Sequence, residues 1–470
     1  MEGYMDLSHK ATRAAIGAGF ELALNHAKKN PKDGISQVID LFTKYYSSKN
    51  GAEKADAFRG MSKYMSDPNA KWAKYANHIF NSVDSKILKN MMLNLGYEGG
   101  YLGWNMSRKL CEKYDCNIPF AIVIDPTSAC NLHCTGCWSS EYQKTTALSY
   151  DDLDSIIKQA VDLGTHFFLY TGGEPMMRKN DIVKLAKEHS DCIFHLFTNG
   201  TLIDQHFCDQ ARDCGNIILS LSLEGFKEEN DFRRGEGCFD KVMAAMDLMK
   251  KNKLAFGTSI CWTNKNYKTV ISDEFIDMII EHGCLWTWYF HFMPVGQDTD
   301  TTFLPTAEQR TFMFNAIRNL RNENNGKLIF PIDFQNDGEY IGGCIAGGKN
   351  YLHINSNGDV EPCVFIHYSS ANIHKETLLE ALQQPLFRAY KKAQPFNSNL
   401  YQPCPMLENP DRLPQMVKET GAVSTDLCDR ESADHLCSKC VEYAKDWAPV
   451  ADSLWKEHME AKKKKAEGQK

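Results

Sequence analysis

The chain contains no long apolar run: nowhere among its 470 residues do the 18 or so consecutive apolar positions of a membrane span occur. It has no basic excess either. Lys plus Arg number 53 against 60 for Asp plus Glu, a net charge of −7, which excludes the electrostatic footprint of a nucleic-acid binder. Internal repeats are absent, and low complexity is confined to a lysine-rich end. The opening residues, MEGYMDLSHKATRAAIGAGF, lack the basic start and unbroken apolar stretch of a secretory leader, so a reducing cytoplasm is expected. What the chain does have is cysteine, 17 in all. That is too dilute for a disulfide scaffold, and in a reducing compartment it points to metal or redox chemistry. With 43% apolar and 24% charged residues, the rest is ordinary globular usage, long enough for roughly two to four domains.

Periodicity divides the chain into four parts. Residues 1–117 read as a helical region, with Ile16, Phe20, Ala23, Leu24 and Ala27 on one helix face and Ile35, Val38, Ile39 and Phe42 on another. A further helix near Ile87–Leu95 is expected to stop at Gly96. In residues 118–330 six β-rich runs, near 120–124, 166–170, 193–197, 217–222, 255–261 and 286–293, alternate with amphipathic helical patterns. That alternation predicts βαβ units and a parallel sheet, an α/β fold of the partial (βα)6 TIM-like barrel type. Residues 331–447 form a loop-rich cysteine domain that needs a metal to hold it together. Residues 448–470 form a charged tail with Lys462–Lys465 as a solvated helix end.

Three cysteines, Cys130, Cys134 and Cys137, follow the first strand within eight residues. Three thiolates on one loop can converge on one inorganic centre and leave a coordination position open. A closed zinc site would need His133, whose ring is hard to aim at the same metal from inside the Cys130–Cys134 interval. In parallel barrels ligands gather at the C-terminal strand ends. The second strand ends in Gly172-Gly173-Glu174-Pro175, where glycine allows close backbone approach and the carboxylate can accept from an ammonium group.

CxxxCxxC after strand one and GGEP after strand two resemble the core of the radical SAM superfamily over residues 118 to about 325. The resemblance implies a 4Fe-4S cluster on Cys130, Cys134 and Cys137, with S-adenosylmethionine on the unique iron. It also implies cofactor contacts from Gly172, Gly173, Glu174 and Pro175, from Asn199 in the Thr-Asn-Gly turn, from Ser222 and Glu224, and from Arg234 in the D-x-x-R-G-x-G segment. The family often places an aromatic before the third cysteine; here Gly136 stands there, with Trp138 after it.

From Cys344, thirteen residues, Gly358, four residues and Cys363 resemble the opening of a SPASM domain. This implies at least one auxiliary 4Fe-4S cluster. An Asn-Gly hairpin over 351–361 would bring Cys344 and Cys363 together. Cys404, Cys428, Cys437 and Cys440 do not reproduce the usual spacing. The favoured ligand set is Cys344, Cys363 and two of Cys404, Cys437 and Cys440, with two clusters or a structural zinc as alternatives. The remaining cysteines, Cys261 among them, read as small buried or incidental thiols. Of Trp286, Trp288, Tyr289 and His291, about half should face the barrel interior, by alternation along the strand.

The family implies reductive cleavage of S-adenosylmethionine and hydrogen abstraction from a substrate, with flavodoxin or ferredoxin as electron donor. The leading substrate is a peptide or protein. A lipid or small molecule under a helical lid is the alternative, and a non-catalytic iron–sulfur electron carrier is the third reading.

Overall fold

The computed structural model describes residues 7–30, 34, 36–37, 39–40, 43–44, 63–139, 146–296, 299–426 and 430–467. Its centre is one nine-stranded sheet. The strands are β1 (Ala121–Ile124), β2 (Phe167–Tyr170), β3 (Ile193–Thr198), β4 (Ile217–Ser222), β5 (Phe256–Trp262), β6 (Trp286–His291), β7 (Phe330–Asp333), β8 (Tyr351–Ile354) and β9 (Val360–Glu361). Their order is β7-β6-β5-β4-β3-β2-β1-β8-β9. The first eight run parallel, and β9 turns back antiparallel on β8. β1 and β4 are apolar runs buried along most of their length, as expected where helices cover a parallel sheet.

Between the strands, polar caps start the helices. Ser149 and Asp152 form a reciprocal capping box at helix Tyr150–Asp162, and Thr306 and Gln309 do the same at Ala307–Arg321. Asp204 and Ser272 cap the helices after β3 and β5.

The expected α/β barrel core is present, with two more parallel strands than the six read from sequence. β7 is four residues long and contains Pro331, which it tolerates as the edge strand. β8 is the first arm of the expected Asn-Gly hairpin; its other edge pairs with β1, Val123 opposite His353. The sheet therefore crosses residue 330. Residues 448 onward continue a helix, Val441–Glu467, whose Trp447 and Ala451 pack against Phe314 and Tyr401. Lys462–Lys464 at its far end are exposed.

The N-terminal region is helical where described, and the face carrying Leu24 and Ala27 is buried. Ile35, Val38 and Phe42 lie outside the described residues. The expected stop at Gly96 is not found. Helix Ser85–Met91 passes into a π-helical stretch, Met92–Gly103, and then into helix Trp104–Tyr114, ending at Asp115 with φ 48°. Glycine here marks close approach and does not end the helix: a Cβ on Gly103 would lie 2.1 Å from the Gly164 carbonyl oxygen. Arg13 ties the first helix down, donating to Glu98 Oε1 at 2.7 Å and Asn94 Oδ1 at 2.6 Å. Among the described residues no helix is long and apolar enough to cross a membrane.

Candidate active site

The loop after β1 and the turn after β2 lie backbone against backbone. Gly173 N donates to Thr127 O at 3.0 Å and Glu174 N to Ala129 O at 2.8 Å. A Cβ on Gly173 would stand 2.2 Å from Ala129 O, so no other residue fits without moving the loop. This contact brings Cys130, Cys134 and Cys137 onto a cavity of about 380 Å³ together with Gly172, Gly173, Glu174, Asn199, Ser222 and Arg234. His133 is exposed and is not part of the lining.

The Glu174 carboxylate is buried and accepts three hydrogen bonds, from Met176 N at 2.9 Å, Thr198 Oγ1 at 2.6 Å and Asn199 N at 2.8 Å. Burial pushes its carboxyl above the usual range, against these donors. Pro175 opens a short 3-10 turn, fixing where the carboxylate points without lining the cavity itself. Asn199 Nδ2 reaches back to Asn131 Oδ1 at 2.9 Å, within the cysteine loop.

Glu224 also lies outside the lining. It is fully buried behind two arginines: Arg233 Nη1 donates to its Oε1 at 2.8 Å and Arg234 Nε at 2.9 Å, while Cys261 N donates to Oε2 at 3.0 Å. It is thus the counter-charge that orients the guanidinium groups. Arg233 lines the cavity and donates to Gly136 O at 3.3 Å. Sequence reading passed over it because only its neighbour sits on the arginine position of D-x-x-R-G-x-G.

Cys261, read from sequence as incidental, lines the same cavity. Burial pushes its thiol up to about 11, although Arg233 stands close by. Its place near the end of a barrel strand was the available signal. At Gly136, φ is +66° and a Cβ would meet Phe292 Cε2 at 2.9 Å. The ring missing from the cysteine loop is therefore replaced by Phe292, from just beyond β6. Trp138 also lines the cavity and stacks on His367 at its edge, at 6.1 Å between centroids. On β6, Trp288, Phe290 and His291 reach the cavity. Tyr289 points outward, bonding Val270 O at 2.9 Å, and Trp286 donates to Ser220 Oγ at 2.9 Å.

In the C-terminal region Cys344, Cys363 and Cys404 line one small cavity of about 60 Å³, as the hairpin predicts for the first two. Each sulfur accepts from the backbone N–H two residues on: Ala346 for Cys344, Phe365 at 3.5 Å for Cys363 and Met406 at 3.4 Å for Cys404. Cys130 does the same with Leu132 N at 3.4 Å. Such amides favour thiolate over thiol and suit metal ligands. Tyr351, which lines the main cavity, also donates its hydroxyl to Cys363 Sγ at 2.8 Å. Cys437 and Cys440 belong to the same buried side-chain cluster as Cys363 but do not line the small cavity. Cys428 lies outside the described residues.

Residues 124–272 match the model of the radical SAM superfamily, and residues 344–406 that of the SPASM iron–sulfur cluster-binding domain. The chain carries a radical SAM domain followed by a SPASM domain. It is a radical SAM enzyme with a SPASM domain, and those two domains imply iron–sulfur clusters and S-adenosylmethionine binding. The chain is 23% identical over 291 residues to an AdoMet-dependent heme synthase of Methanosarcina barkeri, covering 56% of this chain and 82% of that one. It is 25% identical over 260 residues to a PqqA peptide cyclase of Rhizobium meliloti, covering 52% and 67%. Among solved structures, SuiB of Streptococcus suis bound to its precursor peptide SuiA has the same fold, with TM-score 0.54, 19% identity and coverage of 71% and 79%.

Proposed function

We propose that the large cavity is where S-adenosylmethionine is reductively cleaved, with Cys130, Cys134 and Cys137 holding a 4Fe-4S cluster. The observation that carries this is the convergence of these three thiols and Gly172–Glu174 on one cavity at the C-terminal strand ends. The donor set fits the group: three sulfurs leave one iron position for a bidentate ligand. Held by Cys130, Cys134 and Cys137, the cluster would supply one-electron reductive cleavage of bound S-adenosylmethionine.

The chain's own residues bind and orient. Gly172 and Gly173 let the backbone come close to the methionyl end. Glu174, its orientation fixed by three donors, offers its remaining acceptor capacity to the amino group. Arg234 faces the carboxylate end, Asn199 and Ser222 supply polar contacts, and Glu224 acts through the arginines as a positioning residue. Phe292 presents the ring available to adenine beside the cysteine loop.

Away from that end the lining is aromatic and aliphatic, including Phe120, Phe167, Phe197, Trp288, Phe290 and Phe334. Burial keeps the His291 imidazole neutral, far below its usual range. With no formal charge there, a charged group would enter without repayment of its desolvation. The hydrogen donor is therefore an apolar group. It belongs either to a side chain of a peptide or protein or to a lipid or other small apolar molecule. The PqqA peptide cyclase relative favours the first source, and the heme synthase relative the second.

One auxiliary 4Fe-4S cluster is assigned to Cys344, Cys363 and Cys404, with Cys437 or Cys440 as the fourth ligand. Held there, it would supply one-electron redox chemistry close to the substrate cavity that Tyr351 also lines. Flavodoxin or ferredoxin supplies the electron for cleavage. Anaerobic reduction of the reconstituted protein with S-adenosylmethionine tests the proposal: 5′-deoxyadenosine must form. A fully loaded protein that forms none, with or without apolar candidate substrates, would instead be an electron carrier.

A further inference from the structure

Beneath Trp138, outside both cavities, three potential ligands converge from the hairpin. His353 Nδ1 on β8 lies 2.7 Å from Glu361 Oε2 on β9, and His367 Nδ1 lies 3.0 Å from the same oxygen. His353 and Glu361 are fully buried, and the His367 side chain is 17% exposed. We propose that His353, Glu361 and His367 bind a single first-row divalent metal ion, separate from the cysteine sites.

Three observations carry the proposal. First, all three ligand atoms lie within 4.8 Å of one another. A tetrahedral site with bonds of about 2.0–2.1 Å needs ligand atoms about 3.3 Å apart, so the two nitrogens at 2.7 and 3.0 Å need to draw back from Glu361 Oε2 by about half an ångström or less.

Second, carboxylate, amide and hydroxyl groups stand around His353 and Glu361 where outer partners of metal ligands usually are. His353 Nε2 is 3.0 Å from Asp125 Oδ2, and Asp125 Oδ1 in turn accepts from Thr171 Oγ1 at 2.9 Å. That carboxylate stands beside Nε2 as a charge contact without hydrogen-bond alignment, while Nδ1 faces Glu361, an approach to the carboxylate–histidine–metal arrangement. Glu361 Oε1 accepts from Asn355 Nδ2 at 3.0 Å and Thr425 Oγ1 at 2.5 Å, so Oε2 is the oxygen turned to the site.

Third, the charges balance. Asp125 and Glu361 place two carboxylates in a buried site. One dication with two neutral imidazoles neutralises them, where otherwise both imidazoles would have to be protonated. Two imidazoles and a carboxylate suit zinc or ferrous iron. Because the three residues lie behind Trp138 and not on the substrate cavity, the ion would act as a staple. It would fix the SPASM hairpin to Asp125 at the end of β1, beside the loop that carries Cys137.

The test uses the reconstituted holoenzyme exposed to excess zinc and then gel-filtered. Zinc per chain is measured by mass spectrometry, and its ligands by zinc-edge X-ray absorption, to which iron–sulfur clusters are transparent. The expected result is about one zinc per chain with a nitrogen and oxygen shell only, near 2.0–2.1 Å. Glu361→Gln and, at the less buried edge, His367→Asn should abolish retention, and Asp125→Asn should weaken it by about 10–100-fold. No zinc retained by the wild type, a shell containing sulfur at about 2.3 Å, or full retention in Glu361→Gln would overturn the proposal.

Discussion

The Arg234 guanidinium spans Glu224 and Cys134: Nε donates to Glu224 Oε1 at 2.9 Å, while Nη1 lies 3.9 Å from Cys134 Sγ. One buried carboxylate thus places a positive charge against the cysteine loop, and the same oxygen also accepts from Arg233. Glu224→Gln would leave two nearly buried guanidinium groups without their counter-charge. Such losses cost about 3–5 kcal/mol. Anaerobic denaturant unfolding should show a loss of that order, and equilibrium dialysis should show weaker S-adenosylmethionine binding. An unchanged midpoint would contradict the role given to Glu224.

Gly173→Ala should disrupt the cysteine loop, because the new Cβ would press on the carbonyl oxygens of Ala129 and Ser128 at 2.2 and 2.4 Å. Iron per chain after reconstitution should fall by the share of one cluster. The absorbance of the auxiliary centre should remain.

The legible parts of the chain were those where local chemistry and position coincide. CxxxCxxC, GGEP and the Asn-Gly hairpin each announce a backbone shape as well as a ligand. Gly96 misled because the chain runs through it as a π-helical stretch with open space around it; the glycine that marks a close approach is Gly103, and its contact with Gly164 exists only in three dimensions. β7 and β8 escaped counting because one holds a proline and the other reads as a hairpin arm. Glu224 was read as a cofactor contact because a strand-end carboxylate carries no mark of what stands in front of it. The burial of Cys261 beside Arg233, and the substitution of the Phe292 ring for a side chain at Gly136, depend on long-range packing that no local pattern encodes.

Tyr351→Phe should make the reduction potential of the auxiliary cluster more negative, because the hydroxyl donates to Cys363 Sγ at 2.8 Å and hydrogen bonds to a ligand sulfur favour the reduced state. Protein-film voltammetry reads the shift. The cluster bound by Cys130, Cys134 and Cys137 should keep its potential, so a shift there alone would argue against Cys363 as a ligand.

Acid should destabilise the fold through His195. Burial lowers its imidazole from 6.5 to about 3, with Ser220 Oγ 2.8 Å from Nε2. Since the folded value is depressed, this contribution to stability is complete above pH 6.5 and is lost progressively as pH falls toward 3. Between pH 7 and pH 4 the loss is about 3 kcal/mol. Unfolding free energies of His195→Gln should be flatter across that window than those of the wild type. Parallel profiles would show that His195 does not drive acid sensitivity.

Formation of 5′-deoxyadenosine and methionine tests the central claim most directly. Reconstituted wild type, reduced anaerobically with S-adenosylmethionine, should yield both. Replacing Cys130, Cys134 and Cys137 with Ala should abolish them while the auxiliary iron is retained. Turnover persisting in that variant would contradict the account.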